Sequence, residues 1–262
     1  MFKYGKVSHA QKNHKNIMSN FDRDKISLEH LLWFINERES IRKGKQTEDY
    51  ILKHSKFCNI RREDDKTTRF LFDTLGHLSG LELWSNLVLS RFINRIDTLR
   101  NVLVWNMEDL SWLLQSPFTN PYAYQLSSSL VKNRDYSTVR EVIVYEIPNK
   151  VEDTFKAGTS SNALGKATKA ANKAFGGGAE FVFYQINLDY AQITGAHDLM
   201  SDDIIHGTGS RDIAPLIDTS SIDMAPYEIE NVLCEYRKYL YQSKRLEEGK
   251  KLSSPYFKGR YS

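Results

Sequence analysis

Ser27-Leu28-Glu29-His30-Leu31-Leu32-Trp33-Phe34-Ile35-Asn36-Glu37-Arg38-Glu39-Ser40-Ile41-Arg42 is the segment that decides the fold class. Leu28, Leu31, Leu32 and Ile35 recur at i, i+3, i+4 and i+7, which lays apolar side chains along one face of an α-helix. Ser27 stands where a capping hydroxyl accepts a first-turn N–H. Beyond Ile35 the same face continues through Arg38 and Arg42. A face that turns from aliphatic to arginine is either the mouth of a pocket or a helix end whose long side chains snorkel out of the core.

The same periodicity recurs along the chain. Leu89, Phe92, Ile93, Ile96 and Leu99 predict a helix over Leu83–Leu99, with Arg91, Asn94, Arg95 and Thr98 on its opposite face. Two arginines, an asparagine and a threonine have the chemistry of a track for a nucleic-acid backbone. Ala167, Lys169, Ala170, Ala171 and Ala174 suggest a helix ending at Gly176-Gly177-Gly178. Val182, Ile186, Asp189 and Ile193 predict a helix over Phe181–Ile193 with a carboxylate in its apolar stripe. A buried acid must be paired, hydrogen-bonded or neutral, so Asp189 is either a site residue or an anchor for a neighbouring helix. Gln185 lies one turn before it. Ile229, Val232, Leu233, Tyr236 and Leu240 define a last helix that carries Cys234 and Glu235. The fold class is therefore mostly α, with a small β element expected at Val142–Ile147, paired with Tyr122–Leu130.

Phe57-Cys58-Asn59-Ile60-Arg61-Arg62-Glu63-Asp64-Asp65 sets two arginines against three acids after an apolar run. An arginine fork suits phosphate oxygens and neighbouring carboxylates can orient it; the same pattern also makes a helix N-terminus with surface ion pairs. Ile204-Ile205-His206-Gly207-Thr208-Gly209-Ser210-Arg211 offers backbone N–H groups to an anion, or else is a helix C-cap. Gly158 to Thr168 superficially resembles a phosphate loop. Its glycines are two residues too far apart, and Ala167 stands where the metal-binding hydroxyl is needed, which excludes a nucleotide-kinase reading of this stretch.

At 262 residues the chain is long enough for one large core, and a single domain over 1–262 is expected, with a flexible insert near 150–178 and a basic tail over 244–262. A net charge of +3 is too small to establish nucleic-acid binding, so any basic surface must come from local clusters. Cys58 and Cys234 lack CxxC spacing, which excludes a zinc ribbon or disulfide framework and fits buried thiols in a reducing cytoplasm. His54, His77, His197 and His206 show no ligand spacing, and neither a metal nor a cofactor is expected. No apolar run approaches the length of a membrane span, so an intracellular protein is expected.

Taken in order, Phe34–Ile41, Phe57–Asp65, Phe92-Ile93-Asn94-Arg95, Tyr184–Asp189, Gly207–Arg211 and Leu233–Tyr239 resemble the alpha-glutamyl/putrescinyl thymine pyrophosphorylases of bacteriophages and the related helical domain of phage hydroxymethyluracil DNA kinases. His206 and Thr208 stand where a Gly-Pro-Gly-like turn is expected, and Asp212-Ile213 replaces an Arg-Gly continuation. The resemblance implies a fold akin to helix-hairpin-helix DNA glycosylases. It also implies an enzyme that lets an amine displace pyrophosphate from 5-pyrophosphoryloxymethyluracil in phage DNA, in the host bacterial cytoplasm. The implied partners are double-stranded DNA carrying the modified uracil, a small amine or amino acid, and a DNA kinase acting beforehand.

That chemistry suits the residues. Cations must neutralise the departing oxygens and a carboxylate must take the proton of the amine. Asp189, Glu235, Arg61 and Arg62 are assigned to catalysis, and Arg38, Arg42, Asn59, Asp65 and Gln185 to substrate binding. Arg91, Asn94, Arg95, Gly207, Gly209, Ser210 and Arg211 are assigned to DNA. The target base must leave the stack to be reached. Two further readings stay open: a base-excising glycosylase, and a non-catalytic DNA-binding partner of the kinase.

Overall fold

A computed structural model describes residues 23, 25–102, 110–115, 130–131, 134–196 and 204–253. The helices are α1 (Leu28–Arg42), α2 (Tyr50–His54), α3 (Lys66–Leu75), α4 (Gly80–Ile93), α5 (Ile96–Leu99), α6 (Val139–Glu141), α7 (Ile147–Gly158), α8 (Leu164–Ala174), α9 (Glu180–Thr194) and α10 (Pro226–Glu247). No strand occurs among the described residues. The expected single domain divides into two compact units. Unit 1 comprises Met1–Ile60, His206–Met224 and Glu228–Ser262; unit 2 comprises Arg61–Ile205 and Ala225–Tyr227. No described helix is long and apolar enough to cross a membrane.

In unit 1, α1 begins where the sequence places it, with the Ser27 hydroxyl accepting the His30 N–H at 3.1 Å. The buried stripe is shifted from expectation: Leu31, Phe34 and Ile35 face inward, whereas Leu32 is exposed. Phe34 packs against Phe57, Tyr236 and Tyr239, with centroids 5.5–6.0 Å apart. The two tyrosines carry hydroxyls, and both are satisfied. Tyr239 donates to Asp49 at 2.8 Å, and Tyr236 meets His30 Nδ1 at 2.9 Å.

Unit 2 is organised around α4 and α9, and both are buried on nearly every side, so neither has a solvated face to pattern its sequence. Two expectations fail here. Val142–Glu146 is not a strand but one π-helical turn joining α6 to α7. A capping box of Thr138 and Glu141 starts the helix, and burial of Val142, Ile143, Val144 and Ile147 outweighs their β preference. The expected partner, Tyr122–Leu130, lies outside the described residues except for Leu130.

The flexible insert expected near 150–178 is instead α7 and α8, built into the core. Trp84 donates its indole N–H to Thr154 at 3.0 Å, and its ring lies against Gly158, where a Cβ would overlap it. At the other end of α8, Arg134 donates to the carbonyls of Phe175 and Gly177 at 2.7 and 3.2 Å. Its guanidinium also pairs with Glu146 and lies over the Phe175 ring. Of the basic tail over 244–262, α10 takes the residues to Glu247; Tyr256, Phe257 and Tyr261 lie outside the described residues.

Gly158 is thus a packing glycine. Gly158→Ala should destabilise the protein by about 1–3 kcal/mol through overpacking against Trp84. Urea denaturation followed by tryptophan fluorescence checks this, and the paired change Gly158→Ala, Trp84→Leu should lose less than the sum of the two single changes.

Candidate functional site

Two polar clusters are built into the helices, one in each unit. The cluster in unit 2 begins at Arg62, in the short 3-10 turn Arg62–Asp64 that leads into α3. Its guanidinium donates to Asp189 Oδ1 at 2.5 Å, to the Gln185 carbonyl at 3.2 Å and to Gln192 Oε1 at 3.1 Å, and it also bonds the Gln185 side chain. From the other side Arg91 grips Asp189 with a fork, Nε to Oδ2 at 2.5 Å and Nη2 to Oδ1 at 2.8 Å. Its Nη2 also donates to Thr68 at 2.9 Å. Asp189 is fully buried, and the two arginines are 4% and 3% exposed, which settles where these charges face.

Burial alone would push the Asp189 carboxyl up, but Arg91 and Arg62 outweigh it and hold the group below the ordinary carboxylate range. A carboxylate held ionised with both oxygens taken is a poor proton acceptor and a strong helix anchor. It joins α9 to α4 and to the entry of α3.

This geometry corrects the expected DNA track. Asn94 ends α4 in the left-handed conformation, φ 46°, with its N–H on the Ser90 carbonyl at 2.7 Å. The helix expected over Leu83–Leu99 is therefore broken, and Arg91, Asn94, Arg95 and Thr98 do not line one solvated face. Arg91, Asn94 and Thr98 are buried, and Arg95 is half-buried. In the Arg61–Asp65 cluster, Asp65 caps α3 by accepting the Thr68 N–H at 2.8 Å and lies 4.0 Å from Arg91. The carboxylate that orients Arg62 is Asp189 rather than Asp64 or Asp65.

The cluster in unit 1 lies where the turn at His206–Arg211 meets α10. The first N–H of the turn is not presented outward. Gly207 N–H and the Ser210 hydroxyl both donate to Glu230 Oε1, at 3.3 and 2.8 Å. Gly209 packs on the Cys234 thiol so closely that a Cβ would overlap it. Arg237 pairs with Asp212 at 2.6 Å and donates to the Thr208 carbonyl at 3.3 Å, so Asp212 pins the far side of the turn. Of the residues assigned to DNA in this stretch, Gly207 and Ser210 are turned inward and Arg211 is exposed.

One turn along α10, Glu235 accepts the Cys58 N–H at 2.6 Å and pairs with Lys238, whose ammonium lies 3.7 Å from the Cys58 thiol. Arg38 donates to the Cys58 carbonyl at 3.0 Å and lies over the Phe57 ring at 5.2 Å. Arg42 is exposed, with Glu39 3.7 Å away. Arg38, Cys58, Glu235 and Lys238 are therefore brought together, whereas Asp189, Arg62 and Gln185 form a separate buried set.

Sequence reading missed Glu230, a fully enclosed acid of the cluster. Burial raises its carboxyl to about 7 despite the bonds from Ser210 and Gly207. The signal was present: Glu230 lies beside Ile229 and four residues before Cys234, on the inward side of α10. Burial pushes the Cys234 thiol up as well. No cluster of His, Cys, Asp and Glu among the described residues is arranged to hold a metal.

Residues 25–137 match the family model described as the 5-hmdU DNA kinase helical domain. Over this stretch the chain is related to that family. The matched segment carries Arg38, Arg42, Asn59, Arg61, Arg62, Asp65, Arg91, Asn94 and Arg95. Asp189, the turn at His206–Arg211 and the acids of α10 follow it. No curated protein and no solved structure matches the chain significantly.

Asp189→Asn should cost about 3–5 kcal/mol, because it leaves two buried guanidiniums without their counter-charge. The depressed carboxyl contributes stability that is present above its unfolded value of 3.8 and lost as pH falls through the lower folded value. Denaturation of wild type and variant at pH 7 and pH 2.5 should therefore show the gap narrowing in acid. Glu230 has the opposite sign. Its raised pKa stabilises the fold below pH 4.5 and loses that contribution as pH rises to about 7. Glu230→Gln should gain stability relative to wild type between pH 5 and pH 8, by on the order of 3 kcal/mol at most.

Proposed function

We propose that the chain is a DNA-modifying transferase that lets an amine displace pyrophosphate from 5-pyrophosphoryloxymethyluracil in phage DNA, on a fold akin to helix-hairpin-helix DNA glycosylases. The observation that carries this is the relation of residues 25–137 to the helical domain of 5-hmdU DNA kinase, a protein whose description places it at hydroxymethylated uracil in DNA. A DNA kinase supplying the pyrophosphorylated base is the partner that fits such a reaction.

In the reaction the amine nitrogen attacks the exocyclic methylene carbon, a C–N bond forms, and the C–O bond breaks with its electron pair leaving on pyrophosphate. The departing oxygens need fixed cations. Arg38 suits this role in unit 1. The Phe57 ring and the Cys58 carbonyl hold its guanidinium in one orientation, and the side chain stays half-exposed. Arg42, one turn on and exposed, extends the same face of α1. Arg62 is too deeply committed to Asp189 to meet a leaving group. The nitrogen must lose a proton as the bond forms, and α10 supplies the acids for it.

Incubation of the purified chain with pyrophosphorylated hydroxymethyluracil DNA and a mixture of amines, followed by nucleoside mass spectrometry, tests the proposal. An aminated thymidine is the expected product; free modified base with abasic sites would identify a glycosylase instead, and unchanged DNA a binding protein. Arg38→Lys, which keeps the charge but loses the planar fork, should cost about 2–4 kcal/mol of transition-state stabilisation, read as kcat/KM, with the fold intact by circular dichroism.

A further inference from the structure

The turn at His206–Ser210 and the buried acid of α10 share a hydrogen-bonded line that the anion-binding reading of this turn does not explain. Ser210 is fully buried, and its one hydroxyl proton is given to Glu230 Oε1 at 2.8 Å. The same hydroxyl oxygen lies 3.2 Å from His206 Nδ1. With its proton committed to the carboxylate, Ser210 can only accept from the imidazole. With Glu230 ionised, His206 is therefore the Nδ1–H tautomer, and the lone pair sits on Nε2. Glu230 is 3% exposed whereas His206 is only half-buried, so the line runs from a reachable ring to a sealed carboxylate.

We propose that His206, Ser210 and Glu230 form a proton relay, in which His206 Nε2 takes a proton from an incoming nucleophile and Glu230 receives one at the other end. That the nucleophile is an amine rests on the transfer reaction proposed above; the relay itself does not. The steps balance. A proton joins Nε2, the Nδ1 proton passes to Ser210 Oγ, and the Ser210 proton passes to the Glu230 carboxylate. The imidazole finishes neutral with its tautomer reversed, and Glu230 finishes as the carboxylic acid.

The surroundings favour transfer through the ring over storage on it. Burial, with Arg211 nearby, lowers the His206 pKa, so an imidazolium is disfavoured. Glu230 titrates at about 7, raised by burial first and by Glu235 as well, with Lys238 acting against them. The other titratable groups around the turn are Arg237 and Asp212, paired to each other, and the half-buried Cys234 thiol, pushed up by desolvation and so neutral. A brace that merely tied the turn to α10 would need the Ser210 and Gly207 bonds to Glu230 but no contact to His206.

Long-range proton–nitrogen correlation spectra of the His206 imidazole, recorded on the whole chain from pH 6 to pH 9, test the relay without any substrate. Above the Glu230 titration the Nδ1–H tautomer is expected, and below it the Nε2–H tautomer, with the exchange centred near pH 7. Glu230→Gln keeps the acceptor for Gly207 and Ser210, and should hold one tautomer throughout. Ser210→Ala should uncouple His206 from Glu230 in the same way. A tautomer that never changes in the wild type, or one that changes identically in Glu230→Gln, overturns the relay. In the nucleoside assay Ser210→Ala should lower kcat about 100-fold with KM for DNA unchanged. Tautomer exchange in a chain that transfers no amine would leave the relay standing and remove the transfer reaction, so the two failures are distinguishable.

Discussion

The arrangement of unit 2 depends on a single carboxylate held between two guanidiniums. Asp189 sits at the centre of the apolar helix α9, where an ion alone would be prohibitively costly. Arg91 from α4 meets it with two parallel bonds, and Arg62 arrives from the turn before α3. Three segments distant in sequence thus share one charge centre. Gln185, Gln192 and Thr68 take donors that Asp189 does not satisfy. An apolar core of the same volume could be equally stable, so this network is better understood as fixing which segments meet than as adding net stability. Removal of one member is costly because the others stay buried.

Unit 1 uses its buried charge differently. On α10, Glu230 accepts from a hydroxyl and a backbone N–H, and Glu235 from a backbone N–H and one lysine. Asp189 is locked in one ionisation state by two cations, whereas among the described residues no cation bonds Glu230, and burial pushes its carboxyl up to about 7. A group that must exchange protons needs this second kind of environment. The contrast moves proton chemistry away from Asp189 and toward the turn at His206–Ser210.

Much of the fold was legible because helical periodicity is a strong signal where one face is wet. The start of α1 at Ser27 follows directly from the apolar spacing and the cap. Reading failed where that assumption failed. In α4 both faces are buried, so the stripe with Arg91 and Asn94 pointed to solvent although Arg91 points to Asp189. At Val142–Glu146 a short β-branched run cannot be told from a buried helix by period alone, and the capping box of Thr138 and Glu141 is what starts the helix. For the site, the sequence marked Asp189 and Arg62 as unusual. It could not say that they satisfy each other, because their partnership spans more than a hundred residues. Glu230 was overlooked because a helical glutamate is ordinarily solvated, although its place beside Ile229 and four residues before Cys234 puts it on the inward side of α10.

The relation of residues 25–137 to the helical domain of 5-hmdU DNA kinase sets the chemical context of DNA modification; in the transfer reaction proposed, the cations would come from α1 and the proton acceptor from α10. The most direct test is pyrophosphate release from pyrophosphorylated hydroxymethyluracil DNA, followed in time with and without added amine. Release is expected to require the amine and to match amine incorporation one for one. Release at the same rate in the absence of any amine, or no release while free base accumulates, would contradict it.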